Sequence, residues 1–190
     1  NEKNVVPHYF LKEGDHVSVL EKKVSEKKET KPIPEFRVVF ECVDYLVIDK
    51  PPGLVVHPAA NTTAQTLVDQ LLERYPELRQ VGDDPLRPGI VHRLDKEASG
   101  AMVIAKTQSS FESLVRQFKL RQVKKQYHIL TYGHVEPTEG VIDLPITRSK
   151  QQYTRRAAGR NDGRQAVTRY WVERFIGNTS LVRVQPETGR

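Results

Sequence analysis

The chain has 190 residues and a formal net charge of +6 at neutral pH, with a sequence pI near 9.4. Its one cysteine, Cys42, excludes an intramolecular disulfide, and no apolar run reaches the roughly 18–20 residues of a membrane span. A length of this order accommodates one domain with a real core plus a small appendage, and the basic balance points to a polyanionic partner, because lysines and arginines on phosphates release counterions.

In chain order, residues 1–20 read as the end of a small unit. Its last strand runs through His16-Val17-Ser18-Val19-Leu20 after a Gly14-Asp15 turn. Residues 21–34 are a linker by composition: Glu21 to Lys31 has Val24 as its only apolar residue, and Pro32-Ile33-Pro34 follows. The main body, residues 35–190, opens with strand-like runs at Arg37–Cys42 and Tyr45–Lys50, stopped by Pro51-Pro52-Gly53. Thr66–Tyr75 aligns Leu67, Val68, Leu71, Leu72 and Tyr75 on one helical face until Pro76. Asp83–Gly89 is a loop, and Ala101–Lys106 a short buried strand.

A second helix is predicted from the capping-box spacing Ser109-Ser110-Phe111-Glu112, burying Phe111, Leu114, Val115 and Phe118. Strands dominate after it. Gln126–His134 is closed by a turn at Glu136–Gly140, and Gln165–Ile176 with Thr179–Gln185 forms a hairpin across Gly177-Asn178. Two helices among hairpin-linked strands predict an α+β fold with a mixed, mostly antiparallel sheet.

The basic residues are clustered. Ser113–Val135 holds Arg116, Lys119, Arg121, Lys124 and Lys125 with no acidic residue. Arg148–Arg190 holds ten basic residues against Asp162, Glu173 and Glu187. A solvated charged face accounts for many such runs; two separate ones favour nucleic acid.

Chemistry concentrates in Pro88-Gly89-Ile90-Val91-His92-Arg93-Leu94-Asp95-Lys96-Glu97-Ala98-Ser99-Gly100. Ile90 and Val91 are strand-like, so Asp95 is expected at a strand end leading into a loop, where a carboxylate can enter a cleft. An arbitrary Arg-x-Asp is more often a turn-capping pair at the surface. Here, however, His92-Arg93-Leu94-Asp95 with Ala98-Ser99-Gly100 resembles the central signature of the RluA family of pseudouridine synthases, which act on ribosomal RNA in bacteria. Ala98 stands where that family usually has Thr. Val43–Pro58 resembles its opening segment, Lys124-Lys125-Gln126-Tyr127 its second motif, and Glu187-Thr188-Gly189-Arg190 the start of its last. The resemblance covers roughly residues 35–190.

The resemblance implies a pseudouridine-synthase fold. It also implies isomerisation of uridine to pseudouridine in ribosomal RNA, with the large subunit favoured and transfer RNA the alternative. Asp95 is then the catalytic carboxylate, attacking C1′ or C6. Tyr127, otherwise read as a core-edge tyrosine, becomes the platform under the extruded ring and a candidate acceptor for the C5 proton. Arg190 is the cation paired with Asp95. Arg93 enters the space the base vacates, and it is grouped with His92, Lys124, Lys125 and Arg148 as RNA-binding.

No metal or redox cofactor is expected. The six histidines form no recognisable metal pattern, and no phosphate-binding glycine loop is present. Residues 1–20 resemble the end of an S4-like RNA-binding module. Asn1–His8 lacks a signal-peptide pattern, the chain begins without Met, and its last motif breaks off at Arg190. The expectation is a fragment of a longer, cytoplasmic, monomeric protein. A non-catalytic RNA-binding or ribosome-assembly protein is the rival from another class. A nucleoside glycosidase lacks a second well-placed carboxylate, since Asp95 and Glu97 share one short loop.

Overall fold

A computed structural model describes residues 32–58, 64–148, 156–159 and 163–188. Residues 1–31, which carry the S4-like reading and most of the linker, lie outside them, as does Arg190. Every described helix and strand belongs to the compact unit Ile33–Arg190.

The first layer is a three-stranded antiparallel sheet in the order β1-β2-β3, built from β1 (Arg37–Glu41), β2 (Tyr45–Lys50) and β3 (Gly100–Ala105). Along β2 every second residue is buried, so Leu46, Ile48 and Lys50 face inward. They lie opposite Ile104, Met102 and Gly100 of β3. Helix α1 (Leu67–Arg74) packs Leu67 and Leu71 onto this face with Leu54, Val56, Leu78 and Leu94. Thr66 caps α1 through a capping box with Asp69. The carbonyls of Val55 and Val56 take the next orphan N–H groups, those of Leu67 and Val68, at 2.8 and 3.0 Å.

The α+β expectation holds, with local shifts. Pro76 does not simply end α1; it opens a 3-10 turn over Pro76–Gln80 that buries Leu78. Helix α2 spans Gln108–Lys119 and is capped two residues earlier than predicted. The Thr107 hydroxyl accepts from Ser110 N, and Ser110 also donates to Asp44 O at 2.6 Å, tying the helix start to the β1–β2 turn. Phe111 is buried, whereas Val115 is exposed. The Ser-x-x-Glu spacing was a decoy because Thr107, at the end of β3, meets the sheet first.

The second sheet is antiparallel, in the order β4-β9-β8-β5, from β4 (Tyr127–Tyr132), β5 (Glu139–Asp143), β8 (Val167–Ile176) and β9 (Thr179–Pro186). A small hairpin, β6 (Ile146–Arg148) with β7 (Arg156–Ala158), stands apart from it. The predicted β8–β9 hairpin is present, with a bulge between Val172 and Arg174. Three strands were not predicted: β5, partly covered by the expected turn, and the three-residue β6 and β7. Segments this short give too few alternations to read.

One glycine is required by its surroundings. Gly89 has φ +69°, and a Cβ there would lie 2.7 Å from Ala105 O and 3.1 Å from Ile104 Cγ2. Its N–H and carbonyl bond Val81 O and Ala105 N, fixing the start of the segment that leads to Asp95. Gly89→Ala is expected to cost about 2–4 kcal/mol from left-handed strain plus overpacking, read as a lower urea midpoint at unchanged slope.

Candidate active site

A cleft of about 1280 Å³ is lined by the loop that precedes β3, the last turn of α2, the β6–β7 pair and strands β4 and β9 of the second sheet, with His92, Arg93, Asp95, Phe118, Lys125, Tyr127, Arg156, Arg164 and Thr188 among the lining residues. It gathers Asp95, Tyr127, Arg93, His92 and Lys125 from the sequence reading. Lys124 is exposed and not among the lining residues. For Arg148 only the backbone is described, in β6 opposite Arg156, and Arg190 lies outside the described residues.

Asp95 is exposed on a loop rather than at a strand end, since Ile90 makes only an isolated bridge to Ile104. The loop is nevertheless held on both sides of the carboxylate. Leu94 is 7% exposed and anchored in the core. Asp95 O accepts from Ala98 N at 3.1 Å, closing a turn. Lys96 O accepts from Gly53 N at 2.8 Å and from Lys50 Nζ at 3.1 Å.

Lys50 is fully buried, and its ammonium also donates to Pro51 O and Leu54 O, both at 2.8 Å. Burial pulls its pKa down, and the nearby charges of Glu97 and Asp95 pull it back up. One buried cation therefore joins β2, the Pro-Pro-Gly loop and the Asp95 loop through three carbonyls.

His92 is a wall of the cleft that also organises it. Its Nε2 accepts the Val103 N–H at 3.0 Å on the edge of β3 not paired with β2, and its ring stacks on Phe118 with centroids 4.6 Å apart. Burial, then the charge of Lys125, pushes its pKa down to about 4. The folded state therefore holds a neutral ring where the unfolded chain takes a proton at its ordinary value of 6.5. Stability is complete above that value and falls as pH drops toward 4, by up to about 3 kcal/mol. Urea melts at pH 7 and 4.5 should show this fall, and His92→Gln should show a shallower one.

Tyr127 opens β4, half-buried, opposite Val184. Burial first, and the charge of Asp95 second, raise its phenol pKa. Lys125 donates to Thr188 O at 3.3 Å, while Thr188 Oγ1 accepts from Val167 N. The second and last sequence motifs thus meet at one wall.

Among the described residues, the lining charges are Arg93, Lys125, Arg156 and Arg164 against the carboxylate of Asp95. The ion pairs among the described residues do not include Asp95. Such a site suits a polyanion that brings an electrophilic sugar or ring carbon to a carboxylate. Sequence reasoning missed Lys50, Phe118, Arg156 and Arg164. For Lys50 a signal existed, its inward parity with Leu46 and Ile48.

The family model for RNA pseudouridylate synthase matches residues 44–190. An uncharacterized RNA pseudouridine synthase of Aquifex aeolicus is 41% identical over 97% of this chain and 58% of its own length. The ribosomal large subunit pseudouridine synthase D of Xanthomonas campestris is 41% identical over 97% of this chain and 54% of its own. That of Neisseria meningitidis is 40% identical, covering 100% and 50%. The chain thus spans between half and about three-fifths of these relatives. The human RNA pseudouridylate synthase domain containing 1 superposes with a TM-score of 0.66 at 25% identity, over 86% of this chain and 64% of that one. Signature, fold and family match agree: the chain belongs to the RNA pseudouridylate synthase family, in its RluA branch.

Proposed function

We propose that this protein isomerises uridine to pseudouridine in large-subunit ribosomal RNA, with Asp95 as its nucleophile and no metal or redox cofactor. The observation that carries the reading is the carboxylate itself: exposed, on a loop pinned by the core and by Lys50, in a cleft that Tyr127 also lines and whose other charged lining residues, among those described, are cations. Two relatives whose names specify the ribosomal large subunit supply the choice of RNA.

The reaction breaks N1–C1′, turns the detached uracil and joins C5 to C1′. The C5 hydrogen leaves as a proton and N1 gains one, so no electrons are exchanged. Attack by Asp95 at C1′ and addition at C6 both need an ionised carboxylate. The target base must first leave its stack, at a cost of a few kcal/mol. Tyr127 and Phe118 offer aromatic and apolar surface for the extruded ring, and Arg93, two residues from Asp95, can fill the gap left behind. Arg156 and Arg164 carry phosphates. Removing both by alanine should flatten the slope of log Kd against log salt by about 1.4–1.8, measured by fluorescence anisotropy.

The test is nucleoside chromatography of the protein's own unmodified ribosomal RNA after incubation with the full-length enzyme. Pseudouridine should appear at defined positions. Tight binding without any pseudouridine would leave a non-catalytic RNA-binding protein.

A further inference from the structure

Arg93 is not loose at the cleft. Its Nη1 stands 3.3 Å from Nε2 of His57, a residue of the opening segment that does not line the cleft. A guanidinium only donates, so this contact requires a lone pair on Nε2 and places the ring proton on Nδ1. That Nδ1 is buried and has no partner among the described residues. A buried ring N–H left unpaired is unfavourable, and it persists where the ring is held for another purpose.

The neighbouring charges leave this pairing intact. Arg87 and Asp84 lie within electrostatic reach of His57 but bond each other at 2.7 Å, so Arg93 is the cation on the ring. Burial first, and then Arg93 and Arg87, lower the pKa of His57, in keeping with a neutral acceptor.

We infer that His57 is a positioning residue: its neutral ring holds the Arg93 guanidinium at the rim of the cleft until the target nucleotide is extruded. The physical reason is pre-organisation. A guanidinium already ordered at the rim loses less side-chain freedom when it enters the gap left by the base. Docking on an uncharged nitrogen keeps Arg93 ordered yet easily released, since a neutral acceptor holds it more weakly than a carboxylate would. This inference rests on the proposed isomerase reading.

The experiment uses full-length enzyme and its unmodified ribosomal RNA labelled with tritium at uridine C5. His57→Leu should slow single-turnover release about tenfold, the size of one hydrogen bond to a charged group, with RNA Kd and thermal midpoint held near wild type. His57→Gln, whose Oε1 stands near the place of Nε2, should restore most of the rate. In an Arg93→Ala background His57→Leu should add nothing.

Nitrogen-15 spectra of the free enzyme should show an unprotonated Nε2 at His57 whose shift moves in Arg93→Ala. A full rate in His57→Leu, an equal loss in both backgrounds, or a protonated Nε2 overturns the assignment. If wild type releases no tritium at all, the isomerase reading fails, and the spectra still decide whether His57 holds Arg93.

Discussion

Asp95→Asn is expected to abolish turnover, by at least about 10⁴-fold, the scale seen when a nucleophile is removed, while RNA affinity stays within about twofold. The amide matches the carboxylate in size, and the loop does not depend on the carboxylate for its shape. It is held by Leu94 in the core, by the Asp95 O to Ala98 N turn, and by Lys96 O on Gly53 and Lys50. Asparagine therefore leaves the cleft standing and removes only the carboxylate proposed to attack. Single-turnover kinetics with anisotropy on the same RNA separates the two quantities. A variant that loses both would mean that Asp95 is structural.

Lys50→Met is expected to have the second largest effect, on stability and rate together. Methionine fills much of the aliphatic volume but offers no donor. Of the three carbonyls that lose the ammonium, Lys96 O keeps the Gly53 N–H, and Pro51 O and Leu54 O keep no donor among the described residues. At about 1–3 kcal/mol for each buried unsatisfied group, offset by the desolvation of the cation that is no longer needed, the net loss should be about 2–4 kcal/mol. The rate should fall further than stability explains, by about 100-fold, because a displacement of 1 Å at a reacting group costs that much. Urea melts and single-turnover rates, taken where the variant is fully folded, check both. A stability loss with an unchanged rate would show that Lys50 supports the core without placing the loop.

Much of this was legible because local signals and tertiary structure agree. β2 alternates as a half-buried strand should, and α1 carries its apolar face and cap within its own ten residues. The cleft residues Asp95, Tyr127 and Lys125 were reached by motif, since nothing in the periodicity of a loop marks a nucleophile. Other features were hidden for physical reasons. The cap of α2 is decided by contact with Asp44, more than sixty residues upstream, and the hairpin β6–β7 rests on only three paired residues per strand. His92 illustrates the difference between presence and role. The motif places it at the site, while its bond to Val103 and its stack on Phe118 make it a fixed wall as much as an RNA contact. Arg190, read as the partner of Asp95, and the S4-like reading of residues 1–20 lie outside the described residues.

The most direct measurement is tritium release from RNA labelled at C5 of uridine, using the full-length enzyme and its unmodified ribosomal RNA. C5 becomes the attachment point to the sugar, so isomerisation must expel that hydrogen. Stoichiometric release by the wild type, absent with Asp95→Asn at equal RNA occupancy, is the expected result. RNA bound to saturation with its tritium retained would contradict the isomerase reading and leave the cleft as a binding site.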